Sequence, residues 1–146
     1  MQITSRFTIG VHIIVFTEYY KDKGTVTSSL LAASIGANPV IVRTVMSQLK
    51  LAGIIDSSQG KSGISLKKPM KDITFYDVYK AVDCVDETGL FHFHENPSIK
   101  CDIGRNIHKV MDGRLEKIQN SMEEQMKRIT LAEVTDDILK EIESEK

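Results

Sequence analysis

The residues best suited to chemistry sit on one short stretch. Val40, Arg43, Thr44 and Ser47 recur three to four apart, so on a helix they share the face opposite Val42, Val45, Met46 and Leu49. A guanidinium such as that of Arg43 pairs bidentately with guanine or binds a backbone phosphate. Asn38 and Pro39 stand at the start of the same helix, where free N–H groups favour phosphate. Gln59, Lys61 and Ser62 lie in a polar turn further on and suit the adjacent minor groove, while Arg6, Thr27, Lys50, Lys67 and Lys68 suit backbone contacts. Together they are a candidate reading head for double-stranded DNA.

A second kind of chemistry is offered by Cys101, which follows Lys100 and precedes a helical pattern. Positive charge and a helix N-terminus both lower a thiol pKa, and the thiolate is the form that reacts with oxidants. Cys84 is instead surrounded by Asp83, Asp86 and Glu87, which disfavour another negative charge, so Cys101 is the redox-sensor candidate. His92, His94, Glu95, Cys101 and His108 form a loose set of metal-ligating types, but their spacing matches no zinc signature. Neither a metal nor another cofactor is expected; His92, His94 and His108 are the weak metal candidates, and read instead as polar loop residues or part of a small-ligand pocket. His12, inside an apolar run, reads as a core histidine. The chain has no phosphate-cradling glycine loop, no His-Glu zinc-hydrolase pair and no activated-serine signature, so no enzyme is expected.

The elements that must position these groups follow from the pattern. Thr4 to Tyr20 is apolar nearly all round, as a central helix is. Thr27 or Ser28 caps a helix that ends at Gly36, which can take the left-handed conformation. Asn38 caps the next helix, Pro39 takes its first position, and Gly53 follows its end. Leu31, Ile35, Ala37, Val42 and Val45 form the seam of this helix-turn-helix. Ile54 and Ile55, a polar turn from Ser57 to Gly63, and Ile64 to Leu66 read as a two-stranded wing. Thr74 caps a helix with Phe75, Val78, Tyr79 and Val82 on its apolar face.

After the irregular stretch from Asp83 to Lys100, Ile103, Ile107, Val110, Met111, Leu115, Ile118, Met122, Met126 and Ile129 recur at helical spacing with no proline between them. A helix of about 28 residues is about 40 Å long and protrudes from a small winged-helix domain. Its apolar stripe calls for the same helix of a second copy, with Ile103, Ile107, Val110, Leu115, Ile118 and Met122 as dimerisation residues. Thr135 or Asp136 is the expected cap of a last short helix. The fold class is therefore mainly α with a small β-hairpin wing: a winged helix-turn-helix domain over 1–83, a sensor-like loop over 84–101, and dimerisation and C-terminal helices over 102–146.

Composition excludes other classes. The 146 residues are 41% hydrophobic and 27% charged, ordinary values for a folded protein. No apolar run approaches the ~20 residues of a membrane span. Two cysteines without a disulfide spacing suggest a reducing cytosol, hence a cytoplasmic protein without a membrane partner. The net charge of −1 hides a split. Residues 1–71 hold 9 basic and 3 acidic side chains, a net of +6, and residues 72–146 hold 10 basic and 17 acidic, a net of −7. The basic half carries the helix-turn-helix, and phosphate binding needs a positive local surface rather than a positive total.

Four stretches carry a resemblance over nearly the whole chain: Thr4-Ser5-Arg6-Phe7; Asn38-Pro39-Val40-Ile41-Val42-Arg43; Leu66-Lys67-Lys68-Pro69 with Asp72-Ile73-Thr74 and Asp77-Val78-Tyr79-Lys80-Ala81-Val82; and Thr130-Leu131-Ala132-Glu133-Val134. In these the chain resembles the Rrf-two family of bacterial winged-helix transcription regulators. The resemblance implies a homodimer on a palindromic promoter site, responding to iron–sulfur status, nitric oxide or thiol chemistry. Cluster-binding members carry three cysteines before the long helix. Cys101 lines up with the last, but steps of six back from it meet Glu95 and Gly89. The resemblance is thus to the cluster-free kind. The wing tip Ser58-Gln59-Gly60-Lys61-Ser62-Gly63 also lacks the arginine common in the family.

The expected function is a sequence-specific DNA-binding regulator, a homodimeric repressor that responds to thiol oxidation. Its rivals are a winged-helix protein-interaction module without DNA binding, and a regulator whose signal is a metal or small molecule met at the histidine loop.

Overall fold

The computed structural model describes residues 3–57, 63–82 and 89–146. Helix α1 (Arg6–Tyr20) runs through the centre of the N-terminal half and buries Ile9, Ile13, Ile14 and Val15. Against it pack α2 (Ser28–Ile35), α3 (Pro39–Leu51) and α4 (Phe75–Ala81). Leu31, Val42, Val45, Leu49, Val78 and Val82 are fully enclosed, so the expected helix-turn-helix seam is core. Ile35 and Ala37 sit at its half-buried rim.

Local chemistry sets the boundaries of the pair. Thr27 Oγ1 accepts from the Leu30 N–H at 3.2 Å and starts α2. Gly36 ends it at φ +73°, donating its N–H to the Ala32 carbonyl at 2.9 Å, a conformation that costs glycine no Cβ clash. Asn38 Oδ1 accepts from Val40 N–H at 2.8 Å to start α3. Between them the chain turns through 116°, within the crossing range of a helix-turn-helix.

The wing is short. Strand β1 (Ile55–Asp56) pairs antiparallel with β2 (Ser65–Leu66), Ile55 opposite Leu66 and Asp56 opposite Ser65. The Ile64 N–H donates to the Val26 carbonyl at 3.0 Å, fastening the return strand to the segment before α2. Gln59, Lys61 and Ser62, expected at the wing tip, lie outside the described residues, as does Cys84. A 3-10 turn over Met70–Asp72 leads into α4, where Thr74 and Asp77 form a reciprocal capping box.

Helix α5 (Asp102–Lys127) has 26 residues, about 39 Å at ~1.5 Å each. Its C-terminal part carries Met122 and Met126 against the core. None of its residues is fully buried, and Ile103, Val110 and Ile118 are 71%, 53% and 54% exposed. Helix α6 (Leu131–Ser144) corrects the expected boundary at Thr135 or Asp136. Thr130 caps it, accepting from Glu133 N–H at 3.2 Å, and Thr135 is buried inside the helix with its hydroxyl donating to the Leu131 carbonyl at 2.8 Å. The reason is the Thr130-x-x-Glu133 pattern, a stronger start signal than a threonine one turn later. The junction is stitched to the base of α4: Leu131 N–H donates to the Ile73 carbonyl at 2.8 Å and Phe75 N–H to the Ile129 carbonyl at 2.9 Å. Among the described residues no single helix is long and apolar enough to cross a membrane.

Candidate nucleic-acid interface

Because Val42, Val45 and Leu49 face the core, the opposite side of α3 must face outward. That side carries Val40, Thr44 and Ser47 as expected, all exposed, and continues to Leu51, which is 89% exposed. Leu51 completes an i, i+4, i+7, i+11 ridge with Val40. Sequence reasoning passed over it, although the helical spacing alone would have placed it there. Arg43 and Lys50 flank the ridge on one side. With Ser28 at the N-terminus of α2 and Ser47 they line a cleft of about 260 Å³, and Lys50 Nζ donates to the Ser57 carbonyl at 3.3 Å. Among the described residues no ion pair engages Arg6, Arg43, Lys67 or Lys68. The Thr27 hydroxyl oxygen serves the α2 cap, and Thr27 is half-buried. Lys67 and Lys68 follow the wing in exposed positions, and Arg6 opens α1 half-buried.

Cys101 is exposed and occupies the N-cap of α5. The backbone N–H groups of Gly104 and Ile103 at the start of α5 hold the thiol pKa below the usual cysteine value. The helix end is therefore the cause; Lys100, the other expected contributor, is not among those that lower it. Gly104 permits the approach of the preceding loop, because a Cβ there would press on the Ser98 carbonyl oxygen. The loop is further held by Arg105, whose guanidinium donates to the Ile99 carbonyl at 2.9 Å. A lowered pKa gives full thiolate at lower pH. In a Cys84→Ser background, alkylation of Cys101 by iodoacetamide should reach half its maximal rate below the ~8.5 of a free cysteine. A midpoint at or above that value would remove the helix-end effect.

The histidines do not assemble a ligand set. His108 Nε2 donates to the His94 carbonyl at 2.8 Å, and its Nδ1 lies 3.2 Å from Asp112 Oδ1. The Phe93 and His94 rings contact the His108 ring with centroids 5.7 and 5.0 Å away. His108 thus fastens the loop to α5. Among the described residues no group of three His, Cys, Asp or Glu is placed to hold a metal ion. Nor does the donor set suit an iron–sulfur cluster: beside Cys101 the corresponding positions are Glu95, exposed, and Gly89, packed against Gln119. His12 sits at the edge of the core rather than within it. Its Nε2 is 2.8 Å from Ser34 Oγ, and partial burial lowers its pKa.

Comparison with known proteins agrees with this architecture. The family model Rrf2, described as iron-dependent transcriptional regulators, matches residues 3–137. The chain is 39% identical over 132 residues to the HTH-type transcriptional regulator YwnA of Bacillus subtilis (strain 168), covering 90% of this chain and 96% of that one. A crystal structure described as that of a DNA-binding protein superposes with a TM-score of 0.72 at 33% identity, covering 89% of this chain and 98% of the other. IscR of T. potens shares the fold, with a TM-score of 0.69 at 21% identity over 94% of this chain and 88% of its own. With a helix-turn-helix, a wing, a long helix after a loop, and a family match over nearly its whole length, the chain belongs to the Rrf2 family of transcriptional regulators.

Proposed function

We propose that the chain acts as a homodimeric, sequence-specific repressor, with α3 of each copy in the major groove of a palindromic operator. The observation that carries this reading is the outward face of α3: exposed along its length, flanked by Arg43 and Lys50, and part of the half of the chain with net charge +6. The second copy is argued from α5. Its exposed stripe of Ile103, Val110 and Ile118 is too apolar to stand in water along such a length, and paired half-sites need paired reading helices.

Oxidation of Cys101 is the proposed signal. The thiolate attacks a peroxide oxygen, forming a sulfenic acid and releasing hydroxide or an alkoxide. The modified group stands at one end of α5, and the other end leads through Leu131 and Ile73 to the base of α4. A shift of α5 therefore has a continuous route to the helices beneath α3.

The experiment is fluorescence anisotropy of a labelled duplex, titrated with protein as salt is raised. Phosphate contacts release counterions, so affinity should fall steeply and linearly on a log–log plot. Peroxide should weaken binding by the wild type and spare Cys101→Ser. Absence of duplex affinity at low salt would favour the protein-interaction module, and equal loss in both proteins would remove Cys101 as the sensor.

A further inference from the structure

The outward face of α3 has an unusual chemical balance for a reading helix. The Asn38 side-chain oxygen accepts from the Val40 N–H. The Thr44 hydroxyl donates its hydrogen to the Val40 carbonyl at 3.0 Å. The Asn38 acceptor and the Thr44 donor, two of the polar groups best placed to read base edges, are thus turned to the helix itself. The two ends of the ridge are apolar: Val40 is 60% exposed at the second position of the helix and Leu51 stands at the far end, with Thr44 and the exposed Ser47 between them. The cations lie to the side, at Arg43 and Lys50.

In the major groove only one base-pair group is apolar, the C5-methyl of thymine. A branched side chain at the leading end of a recognition helix, flanked by charges that draw phosphate, matches that group and no other in the groove. We infer that Val40 reads a thymine methyl in each operator half-site, while Arg43 supplies the polar contact beside it. This rests on the DNA-binding reading above and names the chemistry of its specificity. Discrimination comes from removing the methyl and the valine from water together. A cytosine or a uracil at that position leaves the valine against a polar edge or an empty space.

The test uses the full chain and an operator selected from random duplexes. Each thymine in the selected half-site is replaced in turn by deoxyuridine, which keeps the Watson–Crick edge and deletes only the methyl. At one position the wild type should lose affinity by about four-fold for each methyl no longer buried. Val40→Ala, at an exposed site where folding is not at stake, should discriminate less between thymine and uracil operators than the wild type, with a thermal midpoint no lower. Equal binding of both operators by the wild type at every position would overturn the inference while leaving DNA binding intact. So would a Val40→Ala variant that discriminates as well as the wild type. A protein that enriches no duplex at all would overturn this inference and the proposed function together, and would leave the apolar ridge as a protein-docking face.

Discussion

Val110→Glu combined with Ile118→Glu should yield a protein with the mass of one chain and an operator affinity lower by about 100-fold or more. Both side chains are more than half exposed in the single chain, so their replacement removes no core packing within it. In a pair, each glutamate would have to leave water for an apolar seam, at a cost of several kcal/mol per unpaired charge. Without the pair, the second reading helix no longer binds at the high effective concentration set by the first, which is worth about 100- to 10,000-fold in avidity. Analytical ultracentrifugation reads the mass, and circular dichroism checks that helix content is kept. A variant that remains two chains in mass would place the dimer contact elsewhere, and a one-chain variant with full affinity would remove the need for a dimer.

Arg43→Ala should weaken operator binding by about 30-fold or more at fixed salt, since one bidentate base contact of about 1–3 kcal/mol is lost in each of the two copies. Its side chain is exposed and without an ion pair among the described residues, so the loss is not one of stability. Arg43→Lys separates the two roles. A lysine restores a point charge for phosphate but not the planar fork that matches guanine. If Arg43 reads a base, the lysine variant stays weak on the operator and near normal on unrelated duplex. If it binds phosphate, the lysine variant recovers both, and Arg43→Ala lowers the salt slope by about one for each copy. Unchanged affinity in Arg43→Ala would sink the docking of α3.

The elements around this site were legible because short-range chemistry marks them. Gly36, Asn38 and Pro39 are unambiguous punctuation, and the structure uses each in the expected way. Val42, Val45 and Leu49 announced the buried side of α3 by spacing alone, and so its outward side as well. The start of α6 lies before the expected Thr135 or Asp136 because the local Thr130-x-x-Glu133 signal outweighs them, and the bridge from Leu131 to Ile73, which sequence does not reveal, holds that start in place. The role of His108 was hidden for the same reason: its partner is the His94 carbonyl, a backbone atom 14 residues away. At Cys101 the direction of the pKa was legible, but the cause narrowed to the helix N–H groups. The self-engaged polar groups on α3 could not be read from sequence either, since an exposed threonine or asparagine looks equally free for any partner.

The central proposal is that α3 reads DNA as one of a symmetric pair. Selection of bound duplexes from a random pool by the reduced full-length chain tests that most directly. The expected result is enrichment of an inverted repeat whose half-sites are centred about 10 base pairs apart, or a multiple of it, as two-fold related helices require. Enrichment of a single unrepeated motif would contradict the pairing, and no enrichment over the starting pool would contradict the reading itself.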